Sequence, residues 1–258
     1  MTATHIFCLT NIKGGVTKST STVNLGYELA RQGYKTLVID MDPQCNTTYT
    51  LTGRLDEETA GTLYDVLIAD KPANIMDIVE ETKQANLFLA PGSIWLSSAD
   101  ITLANRTNRE KVLSKALRSL TGFDFVLIDT QPSLGLLTVN SMVACTSLLI
   151  PVALTIYGLI GIRLLNMSVE ALRDNMEQEI PVLGVIATLD DHTKNSAKRL
   201  EQVKEFFGGK VFQTIIPRNV RVEEANDQSV PLYEYAPGST GAKAYEALAK
   251  ELLDRVSE

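Results

Sequence analysis

Asn11-Ile12-Lys13-Gly14-Gly15-Val16-Thr17-Lys18-Ser19-Thr20 stands between an apolar run, His5 to Thr10, and an amphipathic run, Ser19 to Gln32, that stops at Gly33. A strand that breaks into paired glycines and lysine and emerges as a helix is the setting of a phosphate-binding loop. The glycines let the backbone bend so that successive N–H groups point inward at phosphate oxygens. The helix N-terminus adds its partial positive charge. On this reading Lys18 reaches the β- and γ-phosphates and the Ser19 hydroxyl binds Mg²⁺. The general pattern G-x-x-x-x-G-K-[ST] is not met, because Ile12 and Thr17 occupy its glycine positions. The variant K-G-G-x-x-K-[ST] fits, with an extra lysine, Lys13, before the glycine pair. Thr17 departs even from that variant, which usually has glycine there. If the position needs φ > 0, threonine costs about 1–2 kcal/mol of strain.

Further short apolar runs, Lys35 to Asp40, Leu87 to Ala90, Phe125 to Asp129, Leu148 to Val152, Val182 to Leu189 and Val211 to Ile216, read as strands buried on both faces. Between them, Gly158 to Asn175, Ser196 to Phe207 and Gly241 to Val256 follow the helical period. Residues 53–85 read as peripheral helices. The alternation predicts an α/β fold: a mainly parallel, twisted sheet with helices on both faces, in one domain spanning residues 1–258. Two strands end in acids, Asp40-Met41-Asp42-Pro43-Gln44 and Asp129-Thr130-Gln131-Pro132. In a parallel sheet the strand C-termini gather where the phosphates bind. A carboxylate there can hold Mg²⁺ through water or orient an attacking water. Any one such Asp is as readily a helix cap. Three of them beside a lysine-rich loop make a bare glycine turn and capping a poor joint explanation.

With 258 residues, the chain is long enough for a sizeable core. Its net charge of −7 means that any contact with nucleic acid comes from a local basic patch. Cys8, Cys45 and Cys145 are isolated and fit reduced thiols in a cytoplasmic protein. No signal peptide or membrane span is read.

Nearly the whole chain resembles the ParA/Soj partition ATPases, within the wider MinD-like group. Lys13 to Thr20 is similar to their deviant Walker A loop, Ile39 to Asn46 to the A′ motif, and Phe123 to Met142 to Walker B and the segment after it. Val211 to Ala225 and Ala236 to Leu253 also resemble the family. The resemblance implies a P-loop NTPase fold that hydrolyses ATP with Mg²⁺. It implies nucleotide contacts from Lys13, Gly14, Gly15, Val16, Thr17, Lys18, Ser19 and Thr20. Lys13 corresponds to the signature lysine, which reaches the partner subunit's nucleotide in an ATP-sandwich homodimer. Asp42 corresponds to the acid that positions the hydrolytic water, and Asp40 to its Mg²⁺-side neighbour. Asp129 matches the Walker B acid, so that Ser19, Asp42 and Asp129 gather about the metal, partly through water. Pro217 and Arg218 match the segment against the adenine. No N-terminal helix-turn-helix is read, so the chain resembles the short type.

The family's function implies a nucleoid-associated ATP dimer that binds DNA without sequence preference and is stimulated by a ParB-like partner. Candidate phosphate contacts are Lys194, Lys198, Arg199, Arg221 and Lys243, with Arg218 beside them; each taken singly is as readily a solvated surface charge. Asp191-His192-Thr193, Gln228-Ser229-Val230-Pro231 and Ser239-Thr240-Gly241 lack basic residues frequent in the family, which predicts weaker DNA binding. A related reading gives the same cycle a protein cargo, of the carboxysome or chemoreceptor type, with another adaptor. A MinD-like membrane role needs a basic amphipathic tail. Ala247 to Glu258 carries Glu251, Asp254 and Glu258 instead, and reads as a packing helix with an acidic outer face.

Overall fold

The computed structural model describes residues 4–54, 61–71 and 73–257. The strands are β1 (His5–Leu9), β2 (Thr36–Met41), β3 (Glu80–Glu81), β4 (Leu87–Ala90), β5 (Phe125–Thr130), β6 (Ser147–Ala153) and β7 (Val182–Thr188). They form one sheet in the order β3-β4-β2-β5-β1-β6-β7. All neighbours run parallel except the two-residue edge strand β3. The predicted α/β class is the observed one.

The pleat sorts the apolar runs onto two faces. Phe7, Leu9, Val38, Phe125 and Leu127 meet α1 (Lys18–Arg31) and α11 (Thr240–Ser257), together with α9 (Arg221–Asp227) and α10 (Leu232–Tyr235). On the other face Leu37, Ile39, Val126 and Ile128 meet α3 (Leu63–Ile68), α4 (Leu96–Leu103), α5 (Val112–Ala116) and α6 (Leu136–Ala144). Further along that face, Cys8, Leu148, Ile150, Val152 and Val185 meet α7 (Ile156–Met176) and α8 (Lys194–Phe207). Gly26 of α1 allows this layer to close: a Cβ there would stand 3.0 Å from a Val38 methyl.

Two expectations are corrected. Val211 to Ile216 is not a strand. It touches β7 at an isolated Val185–Val211 bridge and through Phe212 N–H to Val185 O (2.9 Å) and Ile216 N–H to Ala187 O (2.9 Å). Between those points the Gln213 and Thr214 amides turn to the Glu251 carboxylate of α11, at 2.8 and 2.9 Å. A side chain has taken the donors that a ladder would have used. For the same reason α11 does not show an acidic outer face. Glu251 is turned inward and also pairs with Arg255 at 3.0 Å, and the exposed face carries Lys243 and Lys250 as well as Asp254. The helix does pack as expected, burying Ala242, Tyr245, Leu248, Ala249 and Leu252. In residues 53–85, α3 and β3 lie at the periphery, and residues 55–60 and 72 lie outside the described residues. Helix α2 (Asn46–Thr52) follows the β2 acids and was not foreseen.

Candidate nucleotide site

The loop from β1 to α1 is held at several points. Asn11 accepts the Lys13 amide (3.0 Å) and donates to Pro151 O (2.8 Å). Thr188 of β7 donates to Val16 O at 3.2 Å. Gly15 has φ +71° and Thr17 φ +68°, ψ +30°. Thr17 therefore occupies the left-handed region expected to need glycine, at a strain of about 1–2 kcal/mol for a side chain with a Cβ.

Lys18 is buried, and its Nζ donates to Lys13 O at 3.3 Å, so the ammonium is folded back over the loop. Burial lowers its pKa, and the nearby Asp129 and Asp42 oppose that. Asp129 and Asp40 are register partners on β5 and β2, both fully buried. Asp129 accepts from Thr47 Oγ1 (2.8 Å), Thr22 Oγ1 (3.4 Å) and the Ser19 hydroxyl. Burial pushes it up to about 6, with the Ser19 and Thr47 hydroxyls and Lys18 pulling against the shift and Asp42 adding to it. Asp40 is pushed up to about 7, by burial first and by Asp129 second. Its Oδ2 accepts from the Thr48 amide (2.8 Å) and hydroxyl (2.7 Å), and its Oδ1 from the Asp42 amide (3.2 Å). Asp40 is thereby committed to the β2–α2 turn, whereas Asp42 faces the cleft, its carboxylate accepting the Gln44 amide (2.9 Å).

The cleft has a volume of about 670 Å³. Gly14, Gly15, Thr17, Lys18, Ser19 and Thr20 form its floor, and Asp42, Gln44, Asn46 and Tyr49 one wall. Pro132, which packs against Gly14, and the end of α9, Asn226 and Asp227, complete the lining. The structure thus brings together Lys18, Ser19, Asp42 and Asp129. An ammonium, a hydroxyl and two carboxylates around a glycine floor are the donor set for a triphosphate and a divalent cation. Lys13 stands at the rim, with its Nζ 5.4 Å from the Tyr157 ring centre of α7. Pro217 and Arg218 are not in the cleft lining. Pro217 bridges Asp190, and the Arg218 amide donates to Asp190 O (2.8 Å). Thr47 and Thr48, which hold the two buried acids, escaped sequence reasoning. Their only signal is the hydroxyl-rich run after Asn46. Asn226 and Asp227 left no signal, since only the folded chain brings α9 to the phosphate loop.

The basic candidates occupy three segments that lie side by side. Lys194 and Lys198 are exposed one turn apart on α8, and Arg199 is tied to Leu154 O at 3.2 Å. The Asp190–Pro217 bridge joins the loop before α8 to the loop that ends in Arg221, and Asn219 donates to Thr240 (3.2 Å), three residues before the exposed Lys243. The Arg221 guanidinium is paired with Glu224 at 2.6 Å.

This fold and phosphate cradle define a P-loop ATPase that works with ATP and Mg²⁺. Residues 4–182 match the family model described as an AAA domain. The chain is 40% identical over 247 residues to the chromosome-partitioning ATPase Soj of Treponema pallidum, covering 95% of each chain. It is similar to a Mycobacterium smegmatis structure described as cobyrinic acid a,c-diamide synthase with an ATP analogue and magnesium bound (TM-score 0.85, 29% identity, covering 99% of this chain and 97% of that one). It is similar in the same way to the McdA–ATP complex of Cyanothece (TM-score 0.85, 29% identity, 96% of each chain). The chain belongs to the ParA/Soj family of chromosome-partitioning ATPases. Among the described residues, no helix is long and apolar enough to cross a membrane.

Proposed function

We propose that residues 1–258 form a single partition ATPase domain whose ATP-sandwich homodimer binds DNA without sequence preference. A ParB-like partner then stimulates hydrolysis and release. The protein works in the cytoplasm, on the nucleoid when ATP is bound. In this reading Lys18 and the loop amides hold the phosphates, Ser19 and Asp129 hold Mg²⁺, and Asp42 orients the water. Asp40 sets the turn that carries Asp42, and Lys13 reaches the partner subunit's nucleotide. Pro217 and Arg218 lie beside the adenine.

The observation that carries the reading is α9. This seven-residue helix has Arg221 at its start, among the basic segments, and Asn226 and Asp227 at its end, in the nucleotide cleft. In this proposal a change at Asn226 and Asp227 would reach the basic edge through the two turns of α9. Filter binding with ATP and Mg²⁺ across a salt series tests it. Unrelated duplexes bind equally, and binding is lost at physiological salt. Replacing Lys194 and Lys198 with Ala lowers the log–log salt slope by about one for each phosphate contact removed. Wild-type protein that shows no ATP-dependent binding at low salt removes the DNA half of the proposal.

A second reading, a positioning ATPase for a protein cargo of the carboxysome or chemoreceptor type, is favoured by the Arg221–Glu224 pair. The acid takes up the guanidinium that would otherwise meet a phosphate.

A further inference from the structure

Thr17 carries the strain of the phosphate loop, yet its hydroxyl makes no cap bond to α1. It lies instead 3.4 Å from Ser21 Oγ. Ser21 Oγ lies 3.1 Å from the hydroxyl of Tyr245, 224 residues away on α11, and that hydroxyl also reaches Thr17. Ser21 and Tyr245 are fully buried. Burial pushes the Tyr245 phenol up to about 12, so it stays neutral and both donates and accepts. The three hydroxyls form a relay, Tyr245 to Ser21 to Thr17, from the C-terminal helix to the strained residue, in a setting where a lost partner is not replaced by water.

We propose that Tyr245 is a positioning residue of the nucleotide site: through Ser21 and Thr17 it holds the phosphate loop in the left-handed conformation that a glycine would adopt unaided. A β-branched residue is a poor occupant of that region and drifts from it unless its side chain is held. The relay supplies the hold, so the loop amides converge before nucleotide arrives and α11 becomes part of the site. This inference rests on the nucleotide-site reading of the loop.

A double-mutant cycle tests it, with fluorescent ATP analogue and Mg²⁺ as the probe and thermal melts to confirm that each variant folds. Tyr245→Phe keeps the ring in the core and removes only the hydroxyl. In the wild-type background it weakens nucleotide binding about three- to tenfold, the worth of one buried hydrogen bond. In the Thr17→Gly background, where glycine needs no hold, the same change weakens binding less than about twofold. Ser21→Ala, which cuts the relay at its centre, repeats the pattern and carries the cycle alone if Tyr245→Phe does not fold. Equal losses in both backgrounds, or no loss in either, overturn the proposal and leave Tyr245 a core residue. Wild-type protein that binds no nucleotide overturns the site reading itself; binding with an uncoupled cycle overturns this inference alone.

Discussion

Asp40 and Asp129 show what a parallel sheet does to two acids placed at the same level on neighbouring strands. Each is removed from water and each has a carboxylate charge beside it, Asp129 for Asp40 and Asp42 for Asp129, so both hold their protons into the range of about 6 to about 7. In the unfolded chain both titrate near the ordinary aspartate value of 3.8. The native state therefore binds more protons than the unfolded state between those limits, and stability falls as pH rises through them. We expect the nucleotide-free protein to melt at a higher temperature at pH 5 than at pH 8. Asp40→Asn, which removes the charge, flattens that dependence in scanning calorimetry. A wild-type profile that rises toward pH 8 and is unchanged by the substitution contradicts this account. The acids themselves were legible in the sequence as strand-end residues. Thr47, Thr48 and Thr22, which decide where each carboxylate points, were not, because a threonine in a helix looks the same whether its hydroxyl faces solvent or a buried acid.

Among the elements, the strands and long helices follow from period and composition, and the exceptions have local causes. Val211 to Ile216 has a strand's residues without a strand's hydrogen bonds. Glu251 and Arg255 of α11 take its backbone groups, Arg255 donating to Val211 O (2.9 Å) and Lys210 O (2.9 Å) and stacking 3.9 Å from the centre of the Phe212 ring. The Phe212 ring in turn rests on Gly184 of β7, where a Cβ would fall 2.1 Å from a ring carbon. Gly184→Ala should expel that ring and destabilise the protein by about 1–3 kcal/mol, as overpacking does. Urea unfolding measures the loss. A midpoint unchanged by the substitution means that the segment is not anchored there. Neither Gly184 nor Glu251 announces this role in sequence, since each acts on an element far away in the chain.

At the scale of the whole molecule, the proposed cycle requires a dimer, and on that proposal Lys13 and the neighbouring face of α7 would form its contact. Ile156, Tyr157, Ile160, Leu164 and Met167 recur along one side of α7, each at least half exposed, beginning beside Lys13. Such a stripe is larger than scattered surface apolar residues require. In light scattering, ATP and Mg²⁺ should convert wild-type protein to dimer and leave Lys13→Ala monomeric with its nucleotide binding retained. A Lys13→Ala protein that dimerises as well as wild type removes the sandwich arrangement.

The sequence by itself determined the fold class, the phosphate loop and the acids that face it. These are written in contiguous residues, where apolar period, glycine placement and strand-end carboxylates act over a few positions. Tertiary structure alone decided the rest. It set Asn226 and Asp227 in the cleft, gave Asp129 its threonines and set Tyr245 behind Thr17. Each of these is a short-range contact between polar groups distant in the chain, which exists only after hydrophobic packing of α1, α9 and α11 on the sheet has brought them within a few ångströms.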